Sequence, residues 1–251
     1  MTEPAESAIE SIRTEAPNPD AADAAAGRPA APVKKRRNST LSRRRLLEAA
    51  IAEFSARGPH ATTLDDICGV ASLNKRLVYH YYGDKQALYT AALKYVYSQF
   101  FSLEVELGSM LLPVEQLLEV LVERYYVFLR DHPTFLRMIS FENLDGGRTA
   151  ATLNLAGQKA PVITALRLAL EKGKADGNFA LDVDVNHLLV DIFALCYFYF
   201  SNSATMNLLL GENVLSPASV AQRIRHVVRL LLHGILHDDK RRRDNSPQEA
   251  E

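Results

Sequence analysis

Between Thr63 and Lys85 the chain gives three helix-start signals in quick succession: Thr63 with Asp66 three residues on, Asn74, and Asp84. Each of these side chains can accept from the free N–H groups of a following first turn, and Thr63 with Asp66 has the form of a capping box. Gly83 and the Ser72–Asn74 stretch close the intervals, so the helices between hold about two turns each. Helices that short are marginal alone and must pack on longer neighbours. Leu46, Ala50 and Phe54 stand at i, i+4 and i+8, with Leu47 and Ile51 beside them. They predict a helix that begins near Thr40 or Ser42 and stops at Gly58–Pro59. Ile67 and Ala71 continue one face of the next, Leu73 plugs the core between two helices, and a long helix follows from Lys85 past Tyr95 and Phe100.

The rest of the chain reads as helix after helix. Pro113 opens one to Asp131 with Leu117, Leu121, Tyr125 and Phe128 on one stripe; His132–Pro133 marks a break and restart. "LDGGR" (144–148) is a loop, followed by a helix from about Ala150 to Gly173. After "DGNFALDVD", Asp184 caps a helix from Val185 to Leu210, which Gly211 stops. Ser216–Pro217, a cap and first-turn proline, opens a last helix to about His237. No period-2 strand pattern occurs, so the expected class is all-α.

Composition limits what such a chain can do. Of 251 residues, 47% are hydrophobic, enough for a sizeable core, and the net charge of −1 excludes a uniformly basic protein. The charge is uneven. Residues 1–33 are rich in Ala, Pro, Glu and Asp and are expected to form a disordered tail, as are residues 239–251. From Val33 to Leu47 the sign reverses, with Lys34, Lys35, Arg36, Arg37, Arg43, Arg44 and Arg45 and no acid; Lys34–Arg37 is read as a flexible basic arm or a solvated linker. The start lacks the pattern of a secretory signal, and the longest apolar run, Leu188–Phe200, contains Asp191 and is too short to span a bilayer. Cys68 and Cys196 are expected as reduced core residues. A cytoplasmic protein without a membrane partner is the expectation.

The helix Lys75–Tyr82 carries the chemistry. Val78 and Tyr82, helped by Tyr81, supply its buried side, so Lys75, Arg76, Tyr79 and His80 are left to face outward. Two cations, a phenol and an imidazole suit phosphate clamps and base-edge contacts in a major groove. Lys85 stands where the first N–H groups of a helix and a cation together can hold a phosphate. Three short helices with a four-residue turn have the proportions of a helix-turn-helix unit.

Residues 41–89, above all "TTLDDICGVASLNKRLVYHYYGDKQALY", resemble the DNA-binding domain of the TetR/AcrR family of transcription regulators. The specific part is "VYHYYGDKQALY", an aromatic-His-aromatic-aromatic run, a short turn, then Lys and an Ala-Leu pair. The resemblance implies an N-terminal helix-turn-helix domain (34–90, including the basic arm) and a C-terminal helical domain (91–238) that dimerises and encloses a small-molecule pocket. It implies a recognition helix from Asn74 to Tyr82 whose DNA-binding set begins at Asn74, with Lys75, Arg76 and Leu77 approaching base edges and Thr63, Tyr79, His80 and Lys85 holding the DNA backbone. The family usually carries Gly in the turn where this chain has Ser72, whose side chain fits that backbone less well.

In the C-terminal half, the helix from Val185 leaves almost no polar face, so one side needs a partner. The last helix supplies a second apolar stripe. Phe193, Cys196, Phe200, Val220, Ile224, Val227, Val228, Leu231 and Ile235 are the expected dimer contacts. A two-fold dimer reads a palindromic operator in double-stranded DNA. Arg124, Tyr125, Arg137, Asn143, Asn154, Asp191 and Tyr197 are polar residues stranded among apolar ones and are candidates to line a pocket for an unknown effector. The segment "RDHPTFLRMISFEN" (130–143) loosely resembles that of pyrimidine- or aromatic-catabolism regulators in the family, without naming an effector. His233 and His237 lie one helical turn apart, but no third ligand accompanies them, and no metal or cofactor is expected. No nucleophile elbow, phosphate-cradling Gly loop or C-x-x-C argues catalysis. The expectation is a homodimeric repressor released by a small molecule, with an effector-independent DNA binder as the alternative.

Overall fold

The computed structural model describes residues 33–177 and 183–235. The expected tails (1–32 and 239–251), part of the "DGNFALDVD" loop and His237 lie outside the described residues. The chain separates into two units at Leu41/Ser42, and the described part of the first is the helical segment 33–41.

Every regular element among the described residues is helical. The first, α1 (Val33–Ala61), begins earlier than its apolar stripe predicts, so the backbone of the basic run Lys34–Arg37 is helical. Polar residues form helix readily when a stable helix already continues beyond them, because propagation costs far less than nucleation. Gly58 breaks α1 at φ 76°, ψ 166°, and Pro59 restarts a short turn to Ala61. Only glycine fits that site, for a Cβ there would also lie 2.9 Å from the Phe141 ring.

Two short helices follow, α2 (Leu64–Ala71) and α3 (Lys75–Tyr82), and then the long α4 (Lys85–Gly108). All three starts use the expected caps. The capping box forms at Thr63–Asp66, Asn74 Oδ1 accepts from Arg76 N at 2.8 Å, and Asp84 Oδ1 accepts from Ala87 N at 2.7 Å. Leu46, Ala50, Phe54, Ile67, Val78 and Leu88 meet at zero or 1% exposure, and Phe54 and Tyr89 pack edge to face at 5.0 Å. That small core fixes the three short pieces against α4.

Beyond α4 come α5 (Val114–Asp131), α6 (Pro133–Leu144), α7 (Leu155–Ala175), α8 (Val185–Ser201), α9 (Ser203–Leu210) and α10 (Pro217–Ile235). α4 packs along α7; at Gly108 a Cβ would lie 2.7 Å from the Pro161 backbone, so the two helices cross at close range. α5 is the inner helix, in contact with α7, α8 and α10. Phe100 anchors an aromatic cluster, with ring centroids of Tyr125 and Phe135 at 5.1 Å and of Phe128 at 5.2 Å.

Two expected helices are divided. The one expected from Ala150 is a 3₁₀ turn (Ala150–Thr152), at whose start Glu142 accepts from the N–H groups of Thr149 and Ala150 (2.6 and 2.7 Å), and then α7, which Asn154 caps afresh. The one expected from Val185 to Leu210 bends by 75° at Asn202. Asn202 Nδ2 donates back to the Phe198 carbonyl at 3.3 Å, a local competition with the helix ladder that composition does not reveal.

Candidate nucleic-acid interface

The interface is built on α3. Val78 is fully buried, while Leu77, Tyr81 and Tyr82 are half-buried against the same core. The Tyr82 hydroxyl donates to the Arg43 carbonyl at 2.9 Å, which ties α3 to α1, and burial raises its pKa. Lys75, Arg76, Tyr79 and His80 are exposed, Tyr79 at 57%. The helix therefore shows one anchored side and one continuous polar side, as its pattern predicts.

The turn before α3 holds its direction by unusual means. Ser72 sits in the left-handed region (φ 52°, ψ 44°), the one non-glycine with positive φ among the described residues. Its N–H donates to Gly69 O at 3.2 Å and that of Leu73 to Cys68 O at 3.1 Å, closing α2. Arg45 of α1 donates from Nη2 to Ala71 O at 2.7 Å and satisfies a further end carbonyl. Sequence reading missed Arg45, because its partner lies across the fold and leaves no local trace.

Several expected DNA contacts are differently engaged. Lys85 Nζ donates to Pro59 O and Thr62 O (2.8 and 2.9 Å), so this ammonium staples the end of α1 to the start of α4 instead of standing free at the helix N-terminus. Leu77 is half-buried against the core. The Thr63 hydroxyl donates to Asp66 Oδ2 at 2.6 Å and accepts from Asp66 N at 3.2 Å, so its capacity serves the cap, although the residue is exposed. The Thr63 hydroxyl first and the Thr63 backbone N–H second, both donating to the Asp66 carboxylate, hold it below its usual range. Lys75 Nζ donates to Asp65 Oδ2 at 2.7 Å, which raises the Lys75 pKa. Asp65 also went unnoticed in the sequence, where it looks like ordinary first-turn acid.

The expected effector residues are not brought together. Arg124, Arg137, Asn143, Asn154 and Asp191 are exposed. Arg124 pairs with Glu106 at 3.3 Å, Asn143 bonds back to Ile139 O at 3.0 Å, and Asn154 is a cap. Stranded polar residues proved to be on solvent faces or at helix ends, since a stripe of apolar neighbours in sequence does not fix which side faces inward. Tyr125 is fully buried and donates to Glu104, with its pKa raised by burial first and by Glu104 second. Tyr197 is half-buried, 2.8 Å from Ser140 Oγ. A separate open groove of about 420 Å³ between α4 and α7 is lined by Ser98, Phe101, Ser102, Val105, Gly157, Gln158 and Pro161.

The expected dimer contacts need the same correction. Cys196, Phe200, Val220, Val227 and Leu231 are at most 9% exposed within this one chain, so the apolar stripe of α10 is spent on its own subunit. Phe193, Ile224 and Val228 are half-buried, and Ile235 has no described side chain. On α8 to α10 the apolar residues left most open include Val190 (63%), Phe198 (52%), Leu208 (85%), Leu209 (69%), Leu210 (62%) and Leu230 (50%). Burial raises the Cys196 pKa to about 12, which keeps it a neutral thiol. Among the described residues no group of His, Cys, Asp and Glu is arranged to hold a metal, and no single helix is long and apolar enough to cross a membrane.

Comparison with known proteins agrees with this geometry. The family described as "Bacterial regulatory proteins, tetR family" matches residues 46–92, which are α1 to α4 around the turn. "Tetracyclin repressor-like, C-terminal domain" matches residues 113–231. The HTH-type transcriptional repressor NicS of Pseudomonas putida is 31% identical over 77% of this chain and 92% of its own length. The HTH-type transcriptional regulator RutR of Escherichia coli is 25% identical over 80% and 94%. A TetR family transcription regulator from Marinobacter aquaeolei shares the fold with a TM-score of 0.59 at 20% identity, covering 81% of this chain and 99% of that one. These relatives are regulators and not enzymes, and the turn, the exposed face of α3 and the helical half behind them are what the likeness spans. The chain belongs to the TetR family of DNA-binding transcriptional regulators.

Proposed function

We propose that the protein is a homodimeric, sequence-specific repressor that a small-molecule effector releases from its operator. The observation that carries this reading is the exposed polar side of α3, Lys75, Arg76, Tyr79 and His80, rigidly mounted through Val78 and the Tyr82–Arg43 bond. Such a helix end meets base edges and phosphates at once. Repression is supported by the name of the NicS relative.

Dimerisation is assigned to the open apolar face of α8, where Val190 and Phe198 lie two turns apart, together with Leu230 of α10. Effector response is supported by the mechanical continuity of α4, which starts at the DNA-reading end as Lys85 and ends beside the α4–α7 groove at Gly108. Glu142 of α6 accepts from the Tyr89 hydroxyl of α4 at 2.9 Å, and His60 lies 3.3 Å from Asp145. A ligand that prefers one setting of α4 and α6 shifts the population of DNA-reading conformers by its difference in affinity. The groove is open to solvent, so the choice against an effector-independent binder rests on the effector test below.

The test is binding of the full-length protein to DNA from upstream of its own gene against scrambled DNA, over a salt series. A preference of about a thousandfold is expected of a specific regulator. Arg76→Ala is expected to weaken specific binding by about 1–3 kcal/mol and to relax specificity at one base position. Equal, weak binding to this DNA and to every fragment in a genome-wide selection overturns the reading. An effector is then recognised by two effects together, a rise in melting temperature and release of DNA.

A further inference from the structure

Resting on the reading above, one contact at its centre calls for more. Asp65 and Asp66 are neighbours in the first turn of α2, yet the fold uses them differently. Asp66 is consumed by the capping box and by Arg57 at 3.4 Å. Asp65 reaches away from its own helix, across the turn, to Lys75 at the first position of α3, and both side chains stay open, 76% and 44% exposed. The pair therefore stands beside the N-terminal residues of the recognition helix, the part that meets base edges.

A carboxylate in that place is repelled by phosphate, and the groups on DNA that can satisfy it in the major groove are the amino groups of cytosine N4 and adenine N6. Its partner ammonium seeks the acceptors next door. On a G·C pair, guanine O6 and cytosine N4 are joined by one hydrogen bond, so they lie about 2.9 Å apart. The protein offers its donor and acceptor 2.7 Å apart. The flanking groups complete the match, since guanine N7 is a second acceptor on the Lys75 side. A T·A pair in the same direction also gives acceptor then donor, but it sets adenine N7, an acceptor, beside the carboxylate. The inverted C·G pair sets like against like, and an A·T pair read at adenine N7 and N6 leaves thymine O4, an acceptor, beside the carboxylate.

We infer that Lys75 and Asp65 act together as one reading unit for a G·C base pair in a fixed orientation, guanine toward Lys75 and cytosine toward Asp65. Lys75 is the donor half and Asp65 a specificity-determining acceptor supplied by the preceding helix. The carboxylate also lowers affinity for DNA at large, because each phosphate drawn to Lys75 must approach Asp65.

The experiment is selection from randomised double-stranded DNA with the full-length protein and with Asp65→Ala, followed by titration of the selected site changed at single base pairs. The wild-type protein is expected to require one oriented G·C pair per half-site and to reject its inversion by roughly ten- to a hundredfold. With Asp65→Ala the rejection at that pair falls by about tenfold or more while the rest of the motif is retained, and binding to unrelated DNA tightens. Melting curves check that the variant is folded; should it not be, Asp65→Asn, which keeps an acceptor but offers an amide donor as well, is expected to admit the inverted pair. An unchanged motif with Asp65→Ala overturns the proposal, as does a uniform gain in affinity with base preferences intact. A wild-type protein that selects no motif overturns the DNA-reading function itself, a failure distinct from that of Asp65.

Discussion

Ser72 shows how far one side chain can be pushed by its surroundings. A Cβ in the left-handed region crowds the following carbonyl and costs on the order of 1–2 kcal/mol, and here it is held by two helix-end hydrogen bonds and the Arg45 clamp on Ala71. Replacing it with glycine relieves that crowding but gives the unfolded chain more freedom. Ser72→Gly is expected to raise stability by about 0.5–1 kcal/mol, read as a higher midpoint in urea with an unchanged slope; a lower midpoint shows that the serine is not strained. Asp66 makes the second point at this scale. Its carboxyl is held below the ordinary value of 3.8 by Thr63. A depressed carboxylate stabilises the fold above its unfolded value, and the gain disappears as pH falls through the lower folded value. The acid limb of stability for Asp66→Asn is therefore expected to be flatter than that of the wild-type protein below about pH 4. Identical limbs would mean that another group titrates.

At the scale of elements, Glu142 is the joint. Its 2%-exposed carboxylate accepts from Thr149 N, Ala150 N and the Tyr89 hydroxyl, so α6, the 3₁₀ turn and α4 meet on one side chain. An amide in its place loses the charge that strengthens all three bonds, and it presents an NH₂ to the Tyr89 hydroxyl, which must turn and accept instead. Glu142→Gln is expected to cost about 2–3 kcal/mol, a fall in melting temperature of roughly 4–12 °C. A loss below about 0.5 kcal/mol, the range of ordinary surface changes, would show that the carboxylate is not needed there. The same residue marks a misplaced boundary. Apolar periodicity runs through Ala150–Gly173, yet Glu142 holds the start of only a short 3₁₀ turn there, and the helix begins again at the Asn154 cap.

For the whole molecule the decisive surface is the apolar one left open. Burying the α10 stripe internally leaves Val190 and Phe198 of α8 and Leu230 of α10 in water, the large apolar side chains we assign to the dimer contact. Phe198→Arg is expected to convert a particle with the mass of two chains into one with the mass of a single chain in light scattering, and to abolish tight operator binding while leaving helicity intact. A dimer that survives the substitution moves the interface elsewhere, with Leu208–Leu210 the next face to change.

What the sequence by itself determined is the local part: the all-α class, the three caps at Thr63, Asn74 and Asp84, the stop at Gly83, and the division of α3 into a core side with Val78 and an outward side with Lys75, Arg76, Tyr79 and His80. Caps and periodicities act within one or two turns, so the residues that cause them lie close together in the chain. Only the tertiary structure decided which apolar stripe a subunit uses for itself, where Lys85 sends its ammonium, and that Asp65 lies one hydrogen bond from Lys75. Those outcomes are set by groups from separate helices that converge only after packing, and no spacing in the chain encodes such a meeting.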